Sequence, residues 1–223
     1  MNLFNSHTRN RLGNLIAVEG CIGVGKTTWA NALAKTRLSQ LSLENFEDNP
    51  FLQSFYEDPQ GNALETELHF LLIHYHQLKN IQNKNATETV TDFTFVKDSI
   101  FAKLNILKAN EIQAFTQLYT YLLGQLRPMD LVIYIRGSNE TILKRIKNRK
   151  RPDEMKIDDD YYIRLNQAYE HFFNQYSGAV LVIDANRTDC MENPEAVLDV
   201  SGKIDKMLAL STPNGHSRIE IAT

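Results

Sequence analysis

A glycine-rich segment near the start of the chain constrains the fold more than any other feature. Residues 20–27 read GCIGVGKT and fit the pattern G-x-x-x-x-G-K-[ST]. Residues 15–18 before it are all apolar, as in a buried parallel strand, and apolar residues recur at helical spacing from residue 26 to about residue 38. This order of strand, glycine loop and helix predicts an α/β fold in which backbone N–H groups and a helix N-terminus bind phosphate.

The loop pattern also predicts roles for individual side chains. Lys26 is expected to reach the β- and γ-phosphates of a nucleotide, and the Thr27 hydroxyl is expected to bind Mg²⁺. The predicted donor is therefore ATP, or another nucleoside triphosphate, together with Mg²⁺. The residues predicted to contact this donor are Gly20, Gly23, Val24, Gly25, Lys26, Thr27 and Thr28.

Strand and helix patterns alternate along the rest of the chain. Further strands are predicted at residues 41–46, 87–92, 131–135 and 179–183. Helices are predicted at residues 50–56, 62–83, 97–107, 109–123, 138–150, 158–176 and 194–208. This alternation predicts a parallel five-stranded sheet flanked by helices on both faces. We expect one domain over residues 14–208, a flexible N-terminus over residues 1–13 and a disordered tail over residues 209–223.

The charge and the lengths of the apolar runs exclude several classes of protein. The 24 Lys and Arg residues and the 27 Asp and Glu residues give a net charge of 24 − 27 = −3, without a basic stripe that would indicate a nucleic-acid partner. The longest apolar runs, such as residues 131–135, are far shorter than the roughly 20 residues of a membrane helix. Two widely spaced cysteines, Cys21 and Cys190, form no disulfide framework, which favours a reduced, cytoplasmic protein. Together with the charge and the short apolar runs, this predicts a cytoplasmic protein that binds neither nucleic acid nor membranes.

Two acidic residues follow predicted strands. Glu44 lies near the end of the second strand, and Asp92 lies at the end of the third. Ligands of open α/β sheets bind beyond the carboxyl ends of the strands. A kinase that phosphorylates a hydroxyl gains from a carboxylate that accepts the proton, and it needs an acidic group near Mg²⁺. From position alone, Glu44 could equally be a solvated residue of an acidic stretch, and Asp92 could cap its strand.

The helix predicted at residues 62–83 carries polar residues on an apolar face. Glu67 and His74 are seven residues apart, so two helical turns place them on one face, with Phe70 beside it. Such a pair could form hydrogen bonds with a heterocyclic base. The alternative is that both are partly exposed helix residues. A metal site is disfavoured because His74 and His76 would point about 200° apart around the helix.

A basic helix follows the fourth predicted strand. Arg145 and Arg149 are four residues apart and share a helical face, and Arg151 follows them. Planar guanidinium groups suit phosphate oxygens, so these residues could belong to a lid, over about residues 145–157, that neutralises the charge of a transferred phosphoryl group. The alternative is a solvated basic helix end, which the helix dipole also favours.

Taken together, these segments resemble the deoxynucleoside kinase family, in its bacterial branch. The resembling stretches are EGCIGVGKTT from residue 19, DNPFL from 48, FYEDP from 55, DFTFVKD from 92, IFA from 100, DLVIY from 130, RIKNRKR from 145 and VID from 182. The likeness covers about residues 14–208 in one order and spacing. It implies a P-loop kinase fold with an arginine-bearing lid, and a homodimer through the helix at residues 62–83. It also implies ATP-dependent phosphorylation of the 5′-hydroxyl of a deoxynucleoside to the 5′-monophosphate, in nucleoside salvage.

The resemblance implies site roles by position. Glu44 matches the general base that takes the proton of the sugar 5′-hydroxyl, and Asp92 matches an acid near Mg²⁺ and the 5′-oxygen. Arg145 and Arg149 match catalytic lid arginines, with Arg151 beside them at the donor. The remaining matches are Glu154, a lid carboxylate that can touch the sugar, and Asp184, Ala185 and Asn186, in the loop that holds the adenine of ATP.

The chain departs from the family pattern at three positions. Glu67 and His74 stand where the family commonly has Gln and Arg, and Phe93 stands where it often has Arg. An ionised Glu67 accepts hydrogen bonds only, so the nucleoside pocket, lined also by Phe70 and Phe93, is expected to favour a purine deoxynucleoside or deoxycytidine over thymidine. Three other functions stay open: a nucleotide kinase similar to thymidylate kinase, a kinase of another small alcohol, and a non-catalytic family member.

Overall fold

A parallel β-sheet forms the centre of the computed structural model, which describes residues 13–83, 88–191 and 193–210 and the backbone of residues 218–221. Its strands are β1 (Leu15–Glu19), β2 (Gln40–Ser42), β3 (Thr89–Thr91), β4 (Leu131–Arg136), β5 (Val180–Asp184) and β6 (Arg218–Ile221). They are ordered β2-β3-β1-β4-β5-β6, and every pairing is parallel. All five residues of β1 are buried, which explains why its sequence is almost entirely apolar.

Helices surround this sheet. They are α1 (Lys26–Arg37), α2 (Leu52–Glu57), α3 (Pro59–Asn83), α4 (Val96–Asn105), α5 (Ala109–Leu123), α6 (Asn139–Arg149), α7 (Asp159–Asn174) and α8 (Pro194–Leu210). The main hydrophobic core lies between the sheet and its helices, and a second, smaller core lies among α2, α3, α4 and α5. Within the described ranges, no helix is long and apolar enough to cross a bilayer.

The predicted architecture of five parallel strands flanked by helices is confirmed, with one strand added. β6 pairs with β5 in the stretch where the sequence predicted a disordered tail, and α8 reaches Leu210. Residues 218–221 read RIEI, an alternation of polar and β-branched residues that suits a strand but is too short to predict one. The rest of the predicted tail, residues 211–217 and 222–223, and residues 1–12 of the predicted N-terminus lie outside the described residues.

Helix α3 begins three residues earlier than predicted. Pro59, Gln60 and Gly61 precede the helix predicted at residues 62–83, but they form its first turn. Pro59 takes the first helical position, where the missing N–H costs nothing, and Asp58 Oδ1 accepts a hydrogen bond from the Gly61 N–H at 3.1 Å. A proline after an aspartate therefore starts this helix instead of ending the previous one.

The strand order places the functional edge of the sheet. From β1 the chain passes through β2 and β3 on one side of β1, then crosses to β4 and β5 on the other. The strand order thus reverses at β1, which is where open α/β sheets bind ligands beyond the carboxyl ends of their strands. β2 ends at Ser42, two residues before Glu44, and β3 ends at Thr91, directly before Asp92.

Candidate active site

The glycine loop leaves β1 with backbone angles that require glycine. Gly20 has φ 149° and Gly23 has φ 82°, in the region that side chains rarely adopt. A Cβ atom on Gly20 would also lie 2.5 Å from the carbonyl oxygen of Ile135 in β4. The Lys26 ammonium donates hydrogen bonds to the carbonyl oxygens of Gly20 at 2.8 Å and Cys21 at 3.2 Å. The Lys26 ammonium thus lies against the loop that is predicted to bind phosphate with it.

A cavity of about 250 Å³ opens beside this loop. Its lining residues are Gly23, Gly25, Lys26, Thr27, Thr28, Trp29, Arg145, Arg149, Asp189, Cys190 and Met191. The structure therefore brings the loop and both predicted lid arginines to one cavity, next to the N-terminus of α1. Positive side chains and a helix N-terminus at one cavity suit a polyphosphate.

Asp92 links the glycine loop to Glu44. Its Oδ2 accepts a hydrogen bond from the Thr27 hydroxyl at 2.6 Å, and its Oδ1 accepts one from the Glu44 backbone N–H at 2.8 Å. The hydroxyl and carboxylate oxygens here are hard ligands of the kind that Mg²⁺ prefers, and Mg²⁺ commonly keeps waters and phosphate oxygens as its other ligands. In the described part of the chain, no cluster of three or more His, Cys, Asp and Glu side chains could hold a metal ion. The Thr27 hydroxyl and the Asp92 carboxylate fit a magnesium ion whose other ligands are waters and nucleotide phosphate oxygens.

Glu44 is paired with two cations through a single oxygen. Its Oε1 accepts hydrogen bonds from the Lys97 ammonium at 2.6 Å and from His74 Nε2 at 3.1 Å. Burial would raise the pKa of Glu44, but the charges of Lys97 and His74 outweigh burial and hold that pKa well below its usual range. Glu44 is therefore ionised at neutral pH, which is the form that a general base requires.

His74 is fully buried between aromatic rings. Its ring stacks against Phe70, with centroids 5.7 Å apart, and against Phe93, at 5.1 Å. Its Nδ1 lies 2.6 Å from Asp98 Oδ1, and the other oxygen of Asp98, Oδ2, is buried without a hydrogen-bond partner among the described residues. Burial would lower the pKa of His74, but Asp98 and Glu44 raise it to about 9. The ring is therefore protonated at neutral pH and donates to both carboxylates.

Glu67 is buried one helical turn from Phe70, with 2% of its surface exposed. Asn105 Nδ2 donates a hydrogen bond to its Oε1 at 2.7 Å. Burial, together with the nearby charge of Asp98, raises the pKa of Glu67 to about 8. The shared helical face predicted for Glu67 and His74 is present, but Glu67 is hydrogen-bonded to Asn105, and His74 to Asp98 and Glu44. Their role in reading a base stays a prediction.

The two lid arginines have different surroundings. Arg145 donates to the Val24 carbonyl oxygen at 2.6 Å and to Asp189 Oδ2 at 2.9 Å, so it is attached to the glycine loop. Arg149 donates to Glu154 Oε2 at 2.6 Å, within the predicted lid. Arg151 lies 5.1 Å above the ring of Phe46, in a cation–π contact, and does not line the cavity beside the glycine loop.

The predicted adenine loop forms a tight turn at the end of β5. The backbone N–H of Asn186 donates to Asp184 Oδ1 at 2.9 Å, and that of Ala185 donates to the Arg136 carbonyl oxygen at 2.8 Å. Asn186 Oδ1 accepts from the backbone N–H of Ser138, the N-cap of α6. The turn therefore fixes the start of the helix that carries the lid arginines. Its contact with adenine stays a prediction.

Sequence reasoning missed three charged residues that the structure places in the site. Glu19 ends β1, accepts hydrogen bonds from the N–H groups of Gly20 and Thr94, and has a pKa raised by burial. Its position at a strand end is the signal that led to Glu44 and Asp92. Lys97 and Asp98 lie within the stretch that resembles the deoxynucleoside kinases, but sequence spacing alone does not show that they reach Glu44 and His74.

Comparisons with known proteins identify the family to which the chain is similar. A family model described as deoxynucleoside kinase matches residues 16–209. A deoxyguanosine kinase of Bacillus subtilis is 30% identical over 86% of this chain and 97% of its own length, and a deoxyguanosine kinase of Lactobacillus acidophilus is 31% identical over 83% and 88%. A solved deoxyadenosine kinase from M. mycoides, with the products dCMP and a flexible dCDP bound, has a TM-score of 0.77 and 28% identity over 86% of this chain and 99% of its own.

Proposed function

The chain belongs to the deoxynucleoside kinase family, which phosphorylates the 5′-hydroxyl of deoxynucleosides, and we propose that Glu44 is the general base of this transfer. The observation that carries the proposal is the hydrogen-bonded path from Thr27 through Asp92 to the backbone of Glu44. It holds the predicted base at a fixed place relative to the phosphate loop. In the transfer, the 5′-oxygen attacks the γ-phosphorus while its proton passes to Glu44. The bond between the γ-phosphorus and the β–γ bridging oxygen breaks, which gives the nucleoside 5′-monophosphate and ADP.

On the donor side, the proposed ligand is ATP, or another nucleoside triphosphate, in the cavity beside the glycine loop. Loop N–H groups and Lys26 bind its β- and γ-phosphates, and Arg145 and Arg149 lie at the same cavity. Thr27 and Asp92 would hold Mg²⁺, which supplies neutralisation of phosphate charge when bound. Arg149 reaches the phosphates once its contact with Glu154 opens, and Glu154 is then free to touch the sugar.

On the acceptor side, the base of the nucleoside is proposed to lie near Glu67, His74 and Asp98. The Oδ2 of Asp98 is buried and has no hydrogen-bond partner among the described residues, so it suits an N–H donor on the base edge. Because the pKa of Glu67 is raised to about 8, its carboxyl group is neutral at pH 7 and can donate as well as accept. Adenine, cytosine and guanine offer an exocyclic amino group to the Asp98 acceptor and thymine does not, so a purine deoxynucleoside or deoxycytidine is the proposed substrate.

The assembly and location of the protein are part of the proposal. We expect a homodimer through α3, the helix that the resemblance indicates, working in the cytoplasm without nucleic acid or membranes. Exposed apolar side chains support such an interface: Leu72 on α3 and Tyr121 and Leu123 on α5. Light scattering after size exclusion measures the mass, and a mass of one chain would contradict the dimer.

The test of the general base is Glu44→Gln, which keeps the shape of the side chain and removes its basicity. We expect kcat to fall by about 10²–10⁴-fold, with the KM for the deoxynucleoside much less changed, because binding does not need the proton transfer. Glu47→Gln, in the same acidic stretch but exposed, is the matched control and should be as active as wild type. A Glu44→Gln enzyme with wild-type kcat would show that another residue is the base.

A further inference from the structure

Among the described residues, Lys97 and His74 donate side-chain hydrogen bonds to Glu44, the proposed base, and Lys97 is the closer of the two. It lies in the first turn of α4, is 7% exposed, and places its ammonium 2.6 Å from Glu44 Oε1. His74 Nε2 lies 3.1 Å from the same oxygen. Neither hydrogen bond uses the second oxygen, Oε2. The carboxylate is thus held at one oxygen by two donors that come from different helices, α3 and α4.

The surroundings of Lys97 keep its charge. Burial alone would lower the pKa of Lys97, but Glu44 and Glu19 outweigh burial and raise it. Glu19 itself binds the first N–H of the glycine loop. Lys97 therefore keeps its positive charge in contact with Glu44, and the nearby Glu19 also favours that charge.

Phe93 stands directly after Asp92, where the family often has Arg, and its apolar ring cannot supply a positive charge. Its ring is fully buried and stacks on His74. A ring in this place supports the imidazole of His74 from one side, while Lys97 reaches the carboxylate from α4. The cation near the acceptor therefore comes from a residue four positions further along the chain than Phe93.

We propose that Lys97 is a positioning residue for phosphoryl transfer, which with His74 fixes Glu44 Oε1 so that Oε2 faces the acceptor hydroxyl. The inference rests on the proposed role of Glu44 as the base. Lys97 keeps its own protons throughout, and the proton of the 5′-hydroxyl goes to Oε2 of Glu44. Two donors on one oxygen fix the rotation of the carboxylate, which a single hydrogen bond would leave free.

The experiment is a double-mutant cycle of Lys97→Met and Glu44→Gln, with kcat and the nucleoside KM measured for each variant. If Lys97 acts through Glu44, Lys97→Met lowers kcat by about 10²-fold and leaves KM almost unchanged. In the Glu44→Gln background, the same substitution lowers kcat by less than about threefold. Lys97→Arg restores most of the activity, since a guanidinium also donates to Oε1. Lys103→Met, exposed on the same helix, is the matched control and is as active as wild type.

The outcomes separate the two proposals. Full activity of Glu44→Gln overturns the proposed base, whatever Lys97 does. Low activity of Glu44→Gln combined with either full activity of Lys97→Met or additive losses in the double variant overturns the role of Lys97 alone. Thermal unfolding checks that each variant is folded. If Lys97→Met does not fold, two comparisons decide the question: Lys97→Arg with wild type, and Glu44→Gln with the double variant, in which no carboxylate remains at position 44. A loss of about 10²-fold in the second comparison overturns the proposal.

Discussion

Replacing Glu67 by glutamine is expected to make the protein more stable, and increasingly so as the pH rises from 5 to 7. In the unfolded chain Glu67 ionises at its ordinary pKa of 4.5, whereas burial raises its pKa in the folded protein to about 8. Between these values the unfolded state loses a proton that the folded state keeps. The carboxyl group therefore contributes nothing below about pH 4.5, and it lowers the free energy of unfolding progressively up to about pH 8.

The size of this effect follows from the two pKa values. Each unit of pH within the window changes the free energy of unfolding by about 1.4 kcal/mol. From pH 5 to pH 7, wild type should thus lose about 2–3 kcal/mol relative to Glu67→Gln, whose amide does not titrate. In a chain of 223 residues this corresponds to about 5 °C in Tm. Glutamine can still accept the hydrogen bond from Asn105, so the comparison isolates the proton.

The assay is thermal unfolding of both proteins in one buffer series from pH 5 to pH 8, read as the difference in Tm at each pH. Other titrating groups are common to both proteins and cancel in that difference. Glu65→Gln, an exposed carboxylate on the same helix, is the control and should run parallel to wild type. If the Tm curves of wild type and Glu67→Gln are also parallel, then Glu67 ionises normally in the folded protein and the argument from burial is wrong.

The remaining predictions concern activity. Lys26→Ala should lower kcat by at least about 10²-fold while the protein stays folded, and near-normal transfer would remove the phosphate loop from the mechanism. Arg149→Ala should lower kcat by about 10²-fold, and by more than it weakens nucleoside binding, because the negative charge that Arg149 meets grows during transfer. Lys144→Ala, exposed on α6, is the control and should be as active as wild type. If Arg149→Ala is as active as this control, Arg149 is a solvated basic residue. In competition among four deoxynucleosides at pH 7, thymidine should be the poorest substrate. Asp98→Asn should reduce the ratio of kcat/KM between the preferred deoxynucleoside and thymidine by at least about tenfold. Thymidine as the best wild-type substrate would contradict the proposed pocket.

The sequence predicted those parts of the site that depend on local pattern. The order of strand, glycine loop and helix is local, and so is the position of a carboxylate at a strand end, so Lys26, Thr27, Glu44 and Asp92 could all be chosen before the fold was known. The strand order then brings Thr27, Asp92 and the backbone of Glu44 within hydrogen-bonding distance, as expected for neighbouring parallel strands.

The remainder depends on packing between helices, which periodicity does not report. Helical spacing placed His74 and Glu67 on one face, but only the packing of α3 against α4 shows that His74 meets Asp98 and that Glu67 meets Asn105. The raised pKa of Glu67 likewise depends on its burial, which the sequence does not show, so the expected ionised carboxylate is instead a neutral carboxyl group at pH 7. The two cations on Glu44 come from residues 30 and 53 positions away, a separation that no local pattern encodes.

The tryptophan in the wall of the donor cavity provides an optical signal. Trp29 is the sole tryptophan of the chain, lies in the first turn of α1 after the phosphate loop, and is 2% exposed. Indole emission depends on the charges and water around the ring, and a nucleotide beside Lys26 changes both. Intrinsic fluorescence should therefore report donor binding without a label and without turnover. The occupancy of the cavity can then be titrated in variants that are catalytically dead, since none of the substitutions at Lys26, Glu44, Lys97 or Arg149 removes the fluorophore.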